Sequence, residues 1–361
     1  MLVYCLIFVM LAILAVEDDI YTFPKAKFIL VIIGLFLALF AGFRDVSVSR
    51  DYEPYLGSFN AITHGDLTGS GFLPLFEPGF VVIVRFCYFF FVDNAPVVIM
   101  LVFALLSMST KLIAIRKLSF SPFLVLLLYY AHYFMFQEMT QIRNGLACSL
   151  FFLAIYFYLR EQYLPVFLLI LTAFLFHNSA VFYLLLFLIH KDKFNPYIYG
   201  SIFVAAIIVG VLKVPFLNLV TGIDFNLISN KLSTYVDYSK KGFFDNVRFF
   251  NVLNTVNVLL TGYFFICCVC YKVKDPKFII FLKCNILSIF MYGALISLPS
   301  MAARFAELFG AVFPFLFAYG IQMLPFKKFN VFFLIGVAAI FFYINLIYGQ
   351  LLNSYHVIPL K

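Results

Sequence analysis

Apolar runs of roughly membrane-crossing length recur along this chain, near residues 1–16, 28–43, 95–110, 122–136, 144–159, 197–213, 251–271, 278–297, 305–324 and 330–349. A straight helix needs about 20 apolar residues to cross the hydrocarbon core, so the shorter runs must keep their ends among the headgroups. Hydrophobic residues are 65% of 361 and charged residues 12%, with a mean hydropathy of +1.04. A water-soluble domain of this length cannot hide that much apolar surface, so the bilayer must be the solvent. The expected fold class is an all-α polytopic integral membrane protein forming one membrane-embedded domain, 1–361. Its first run, MLVYCLIFVMLAILAV, has neither a basic flank nor a small-residue cleavage site, and reads as a span rather than a leader. The seven cysteines lie in apolar runs, "ICCVCY" (266–271) among them, and read as packing rather than a metal site.

Two stretches fit a simple span badly. "EPGFVVIVRFCYFFFV" (77–92) carries Arg85 in its middle, and 164–189 is interrupted by "FHNSA". Connections bearing Lys25 and Lys27, Lys111 and Lys117, Lys191 and Lys193, Lys272 to Lys277, and Lys327 and Lys328 all belong on the cytoplasmic side by the positive-inside rule. That parity holds if 77–92 is re-entrant or interfacial, and if 164–189 is a short helical hairpin of two arms each about 20 Å long. About ten full crossings remain, with two larger outer-face loops, 44–76 and 214–250. The outer side then receives Arg44, Arg50, Arg85, Arg143, Arg248 and Arg304, six of the eight arginines. Orientation needs only positive charge. A preference for arginine points instead to bidentate binding of oxyanions. The net charge of +8 is divided between membrane faces and carries no signal for nucleic acid.

Five outer-face constellations stand out, and each also has a plainer reading. "GFRDVSVSRDYEPYLGSF" (42–59) gathers Arg44, Asp45, Arg50, Asp51, Tyr52, Glu53 and Tyr55; it is a solvated loop or a site. Glu77 in "FEPGF" is a helix cap or a site carboxylate. Arg143 in "QEMTQIRNGLA", with Glu138 just before it, snorkels to the headgroups or holds a phosphate in a cavity. His177 in "FHNSA" bonds a carbonyl or sits at a functional break. Arg304 and Glu307 in "MAARFAELF" are a local ion pair or part of the same site. No HExxH or GxxxxGK occurs, which removes support for metal-dependent hydrolysis and ATP-driven pumping. A lipid-linked phosphate or diphosphate suits an arginine-rich membrane site of this kind.

Taken in order over 42–310, "FRDVSVSRDYEPY", "FEPGF", "QIRNGLACSLFFLAIYFYL", "FHNSA" and "MAARFAELF" resemble the EpsG/Wzy-like family of bacterial polysaccharide polymerases. "IRNGLA" and "FHNSA" are the most specific, being similar to the family's IRQ-x-LA and FH-x-SA patterns. The chain departs at Ser49, where the family pattern V-G-x-D-x-x-x-Y has glycine. The resemblance implies glycosyl transfer without a cofactor or metal. Oligosaccharide repeat units on undecaprenyl diphosphate are polymerised at the outer or periplasmic face of the bacterial cytoplasmic (inner) membrane, to O-antigen or exopolysaccharide. Membrane lipids and a chain-length regulator are the other implied partners. Arg143 would hold the donor diphosphate with Arg304 and Arg44, and His177, Glu77 or Asp51 would act as base. Glu138 would orient Arg143 or contact sugar, Tyr52 and Tyr55 would stack on sugars, and loop 214–250 with Arg248 would fold over the site. An O-antigen ligase-like transferase and a flippase of the lipid-linked unit are the alternative readings.

Overall fold

The computed structural model describes residues 1–17, 26–64, 76–214, 248–322 and 326–359. Among them the chain is helical apart from two isolated antiparallel bridges, Arg44 with Val357 and Ser49 with Leu352. It divides into two compact units, Met1–Leu188 with Phe317–Lys361, and Ile189–Leu316. Among the described residues, five helical stretches are long and apolar enough to cross a membrane, or six if one bent pair counts as a single span; six further apolar helices are shorter. The large apolar side chains left outside, such as Phe28, Phe89, Leu164, Leu212, Leu259 and Phe329, are what a lipid-facing surface presents and what water would not tolerate in such density.

In the first unit, α1 (Leu2–Val16) packs on α6 (Pro122–Tyr129), and α2 (Ala26–Gly42) packs on α5 (Ala95–Leu118). Helix α5 also packs on α7 (Ile142–Leu159), and α7 on α8 (Tyr163–Phe176). The short helix α3 (Tyr52–His64) follows the 44–50 loop, and α4 (Pro78–Phe91) precedes α5. Although 78–118 passes as one apolar stretch, Val92 has φ +38° and the Phe80 and Phe103 rings stand 5.9 Å apart. In one straight helix those two residues would be about 35 Å apart, so α4 folds back along α5. The expected segment 77–92 is thus a separate helix of about 21 Å, too short to cross alone.

The 164–189 region also folds back. Helix α8 ends at Phe176, His177 is extended, and a 3-10 helix runs Asn178–Leu188. Tyr163, at the beginning of one arm, meets Phe187, at the end of the other, with ring centroids 6.4 Å apart. Both arms lie on α7, where Phe151 stacks on Tyr183 at 4.1 Å.

Two sequence expectations fail here. Lys111 does not sit in a cytoplasmic connection: α5 continues seven residues past it, and Lys111 is fully buried. The span expected at 305–324 is broken at Ala311–Val312, between α12 (Pro299–Gly310) and α13 (Phe313–Gln322). Pro314 in the first turn of α13 has no N–H to continue the ladder.

In the second unit, α11 (Pro276–Ala294) is the most enclosed helix, packed by α9 (Pro196–Leu212), α10 (Val252–Cys270) and α12. Its start is fixed locally, as Asp275 accepts the amides of Lys277 and Phe278 with proline at the first helical position. Asn195 does the same for α9. Across α10 and α11, Asn285 donates to Asn257 and Thr261 at 2.8 and 2.7 Å, polar glue typical of membrane helices. The last helix, α14 (Lys327–Phe342), closes the first unit against α1 and α6 through a π turn, Tyr343–Tyr348.

After that turn the C-terminal segment runs antiparallel to 43–49. Asp45 donates its amide to His356, Asn353 donates to Val48 and Ile358 donates to Phe43. Asp45 accepts the Ser47 hydroxyl and amide, and these bonds hold its carboxyl below the usual range. Residues 65–75 of one expected loop and 215–247 of the other lie outside the described residues, and with the latter Lys231, Lys240 and Lys241.

Candidate functional site

In the first unit, Arg143 stands in the first turn of α7, and its guanidinium donates to the Glu77 carboxylate, 66 residues earlier. Glu77 occupies the N-cap position of α4 ahead of Pro78, yet its side chain makes no capping bond. The structure therefore gives Glu77 an ion pair in place of the side-chain cap. The pair rests on an aromatic floor, with the guanidinium carbon 5.0 Å from the Phe80 ring centre and 5.9 Å from that of Tyr55. Beneath lie Phe59, Val84, Phe103, Ile142 and Leu146 in one packed cluster from α3, α4, α5 and α7. The Arg143 side chain keeps 28% of its surface open, against 5% for Glu77. The guanidinium has more donors than one carboxylate can use, so this geometry leaves a partly open cation with donors to spare.

The fold-back of 164–188 brings a third group to the same end. Gly79, two residues after Glu77, faces the hairpin tip: a Cβ there would stand 2.8 Å from the Leu175 carbonyl and 2.9 Å from the Phe176 ring. Next to Phe176, His177 is half-buried at the turn itself. Its amide donates to Ala173, and its carbonyl accepts from Ala180, both at 2.9 Å.

Other expected residues are placed differently. Glu138 does not meet Arg143; it pairs with Lys111 at 2.7 Å, with 2% and 0% of the two side chains exposed. Arg44 is wholly buried. It donates to the Ala41 carbonyl near the end of α2 and to the Met100 sulfur at 3.5 Å, and lies 5.4 Å from the Tyr52 ring centre. That packing makes it a cap on a helix C-terminus, a position cations favour. Tyr52, equally buried, presents no open face to a sugar; Tyr55 is 8% exposed, under Arg143. Asp51 is half-buried just before α3 and accepts the Tyr55 amide through its carbonyl. Arg248 and Arg304 belong to the second unit and are exposed there, while Glu307 is buried. Ser49 has φ −129° and ψ 140°, so the residue standing where the family pattern has glycine sits in ordinary extended backbone.

Lys111 is the residue that sequence reasoning misplaced. The signal was present in "SMSTKLIAIRKL": the apolar LIAI after the lysine continues the helix. Gly79 left no such signal, because its close approach depends on a hairpin from elsewhere.

The sequence model of the EpsG family matches residues 27–361. The chain belongs to the EpsG family. No curated protein and no solved structure matches it. For an EpsG-family chain the fold adds a multi-pass helical body in which the family-like segments FEPGF, IRNGLA and FHNSA, far apart in sequence, meet at the end of one helical unit.

Proposed function

We propose that this EpsG-family protein polymerises undecaprenyl-diphosphate-linked oligosaccharide units by glycosyl transfer at the outer face of the bacterial cytoplasmic membrane. The observation that carries the reading is the half-open Arg143–Glu77 pair on its aromatic floor beside the hairpin tip that bears His177. In the reaction an acceptor sugar hydroxyl attacks the anomeric carbon of the donor, whose bond to the diphosphate oxygen breaks. The diphosphate leaves with the lipid, and Arg143 stabilises the charge that develops on it. The acceptor proton passes to a base, His177 or Glu77. Exchange of Glu77 for diphosphate at Arg143 frees the carboxylate at the moment a base is needed. Tyr55 and Phe80 shield the pair from water, which strengthens its electrostatics.

The test is the polysaccharide made by a deletion strain carrying wild-type chain or Arg143→Ala at matched membrane levels. Wild type restores a ladder and Arg143→Ala leaves single repeat units. A normal ladder from Arg143→Ala sinks the clamp. A deletion strain that exports no glycan at all points to flipping or ligation instead.

A further inference from the structure

The Lys111–Glu138 pair plays no part in the clamp just described, yet it is the most enclosed ion pair among the described residues. Lys111 Nζ donates to Ser107 Oγ at 2.7 Å, Glu138 Oε1 at 2.7 Å and the Gly145 carbonyl at 2.8 Å. Those bonds use all three ammonium donors. The same Glu138 oxygen accepts the hydroxyls of Ser107 at 2.9 Å and Tyr129 at 2.8 Å. The cluster ties α5, α6, the break before α7 and the first turn of α7 together at one point.

That point brackets Arg143, with Glu138 five residues before it and the Gly145 carbonyl two residues after. The N-cap residue of α7, Gln141, makes no side-chain capping bond, so the cluster supplies an anchor at this helix start that the cap does not. Behind it the backbone is already close-packed: a Cβ on Gly145 would stand 2.9 Å from the Gln137 carbonyl. A buried ion pair seldom justifies itself by stability, because apolar side chains of similar volume often do as well or better. We propose that Lys111 is a positioning residue, and that with Glu138 it holds the first turn of α7 in the register that aims Arg143 at the donor diphosphate. The catalytic consequence rests on the polymerase reading above; the positional one does not.

The experiment uses the full chain in lipid nanodiscs and the variant Lys111→Met/Glu138→Gln, which removes both charges with little change of volume. Four quantities are followed: thermal midpoint, kcat and KM on lipid-linked repeat units extracted from a deletion strain, and the rate at which phenylglyoxal labels Arg143, read by mass spectrometry. Positioning predicts a thermal midpoint near that of wild type, a kcat lower by about 10-fold or more, a smaller change in KM, and altered labelling of Arg143. In an Arg143→Lys background the same double substitution should cost less than about twofold, since the two act through one group. Unchanged kcat with unchanged labelling overturns the proposal, as does an equal fold-loss in both backgrounds. A double variant too unstable to purify makes the pair structural glue and overturns it too. A wild-type chain that turns over no lipid-linked units defeats the polymerase reading instead, and the labelling rate then decides the positional claim alone.

Discussion

At the scale of single residues, three cations of the first unit are held in two different ways. Arg143 and Lys111 each have a carboxylate partner, whereas Arg44 is held by a carbonyl, a sulfur and an aromatic ring. If Arg44 acts as a helix cap and space-filler, Arg44→Met should keep most of the thermal midpoint, and Arg44→Ala, which leaves a cavity, should lose about 3 kcal/mol. Thermal unfolding of both variants in detergent measures the difference; equal losses would mean the guanidinium charge itself is what matters. Ser49 offers the opposite sign. It is 4% exposed and its hydroxyl finds no partner among the described residues. Ser49→Ala should raise the midpoint, by about 1 kcal/mol of removed desolvation penalty, and a lower midpoint would show that the hydroxyl is bonded after all. Arg143, Glu77 and His177 were all legible as candidates from their types and positions. Which of them touch was not, because each pairing spans tens of residues.

At the scale of elements, the site depends on two fold-backs. Helix α4 turns back on α5 at Val92, and the 163–188 segment turns back at His177. They meet at Gly79, where the approach of the Leu175 carbonyl leaves no room for a methyl group. Backbone rather than a flexible side chain stands in the way, so Gly79→Ala must move α4 or the tip. We expect a destabilisation of about 1–3 kcal/mol and loss of the polysaccharide ladder even where the protein reaches the membrane. Blotting the membrane fraction beside the glycan profile checks this; a normal ladder would mean that the tip and the Glu77 end of α4 need not touch. The hairpin shape was legible, since "FHNSA" interrupts an apolar run too long for one arm and too short for two spans. The extent of α5 was written in the apolar LIAI that follows Lys111, but the carboxylate that lets a lysine stay inside that helix was not, because it comes from another element.

At the scale of the molecule, the C-terminal segment joins the last helix to the loop that carries Arg44 and leads to α3. Three backbone bonds hold it to 43–49, the Tyr355 hydroxyl donates to Phe40 at 2.9 Å, and the Asn353 side chain donates to Ser47 at 2.7 Å. Deleting residues 350–361 should therefore lower the thermal midpoint and abolish the ladder, although it removes none of Arg143, Glu77 and His177. A truncated chain with wild-type activity would show that α3 and its tyrosines stay in place unaided. Orientation is tested separately. In a cysteine-free background, Cys placed at Glu53 should react with an impermeant maleimide on intact cells, and Cys at Lys272 only after permeabilisation. Labelling in the reverse order would put the Arg143 end of the unit in the cytoplasm.

Hydropathy alone determined that this chain is a helical membrane protein, because so much apolar surface is compatible with no other solvent and backbone groups in lipid must be satisfied within helices. The run of short motifs determined the family, and the scarcity of charge identified which charges deserved notice. Only the tertiary structure decided their partners. Arg143 chose Glu77 over the nearer Glu138, and Glu138 chose a lysine that looked cytoplasmic. The reason is that a buried charge must find its counter-charge in space, and in a bundle the nearest neighbours in space come from helices whose packing no local pattern records.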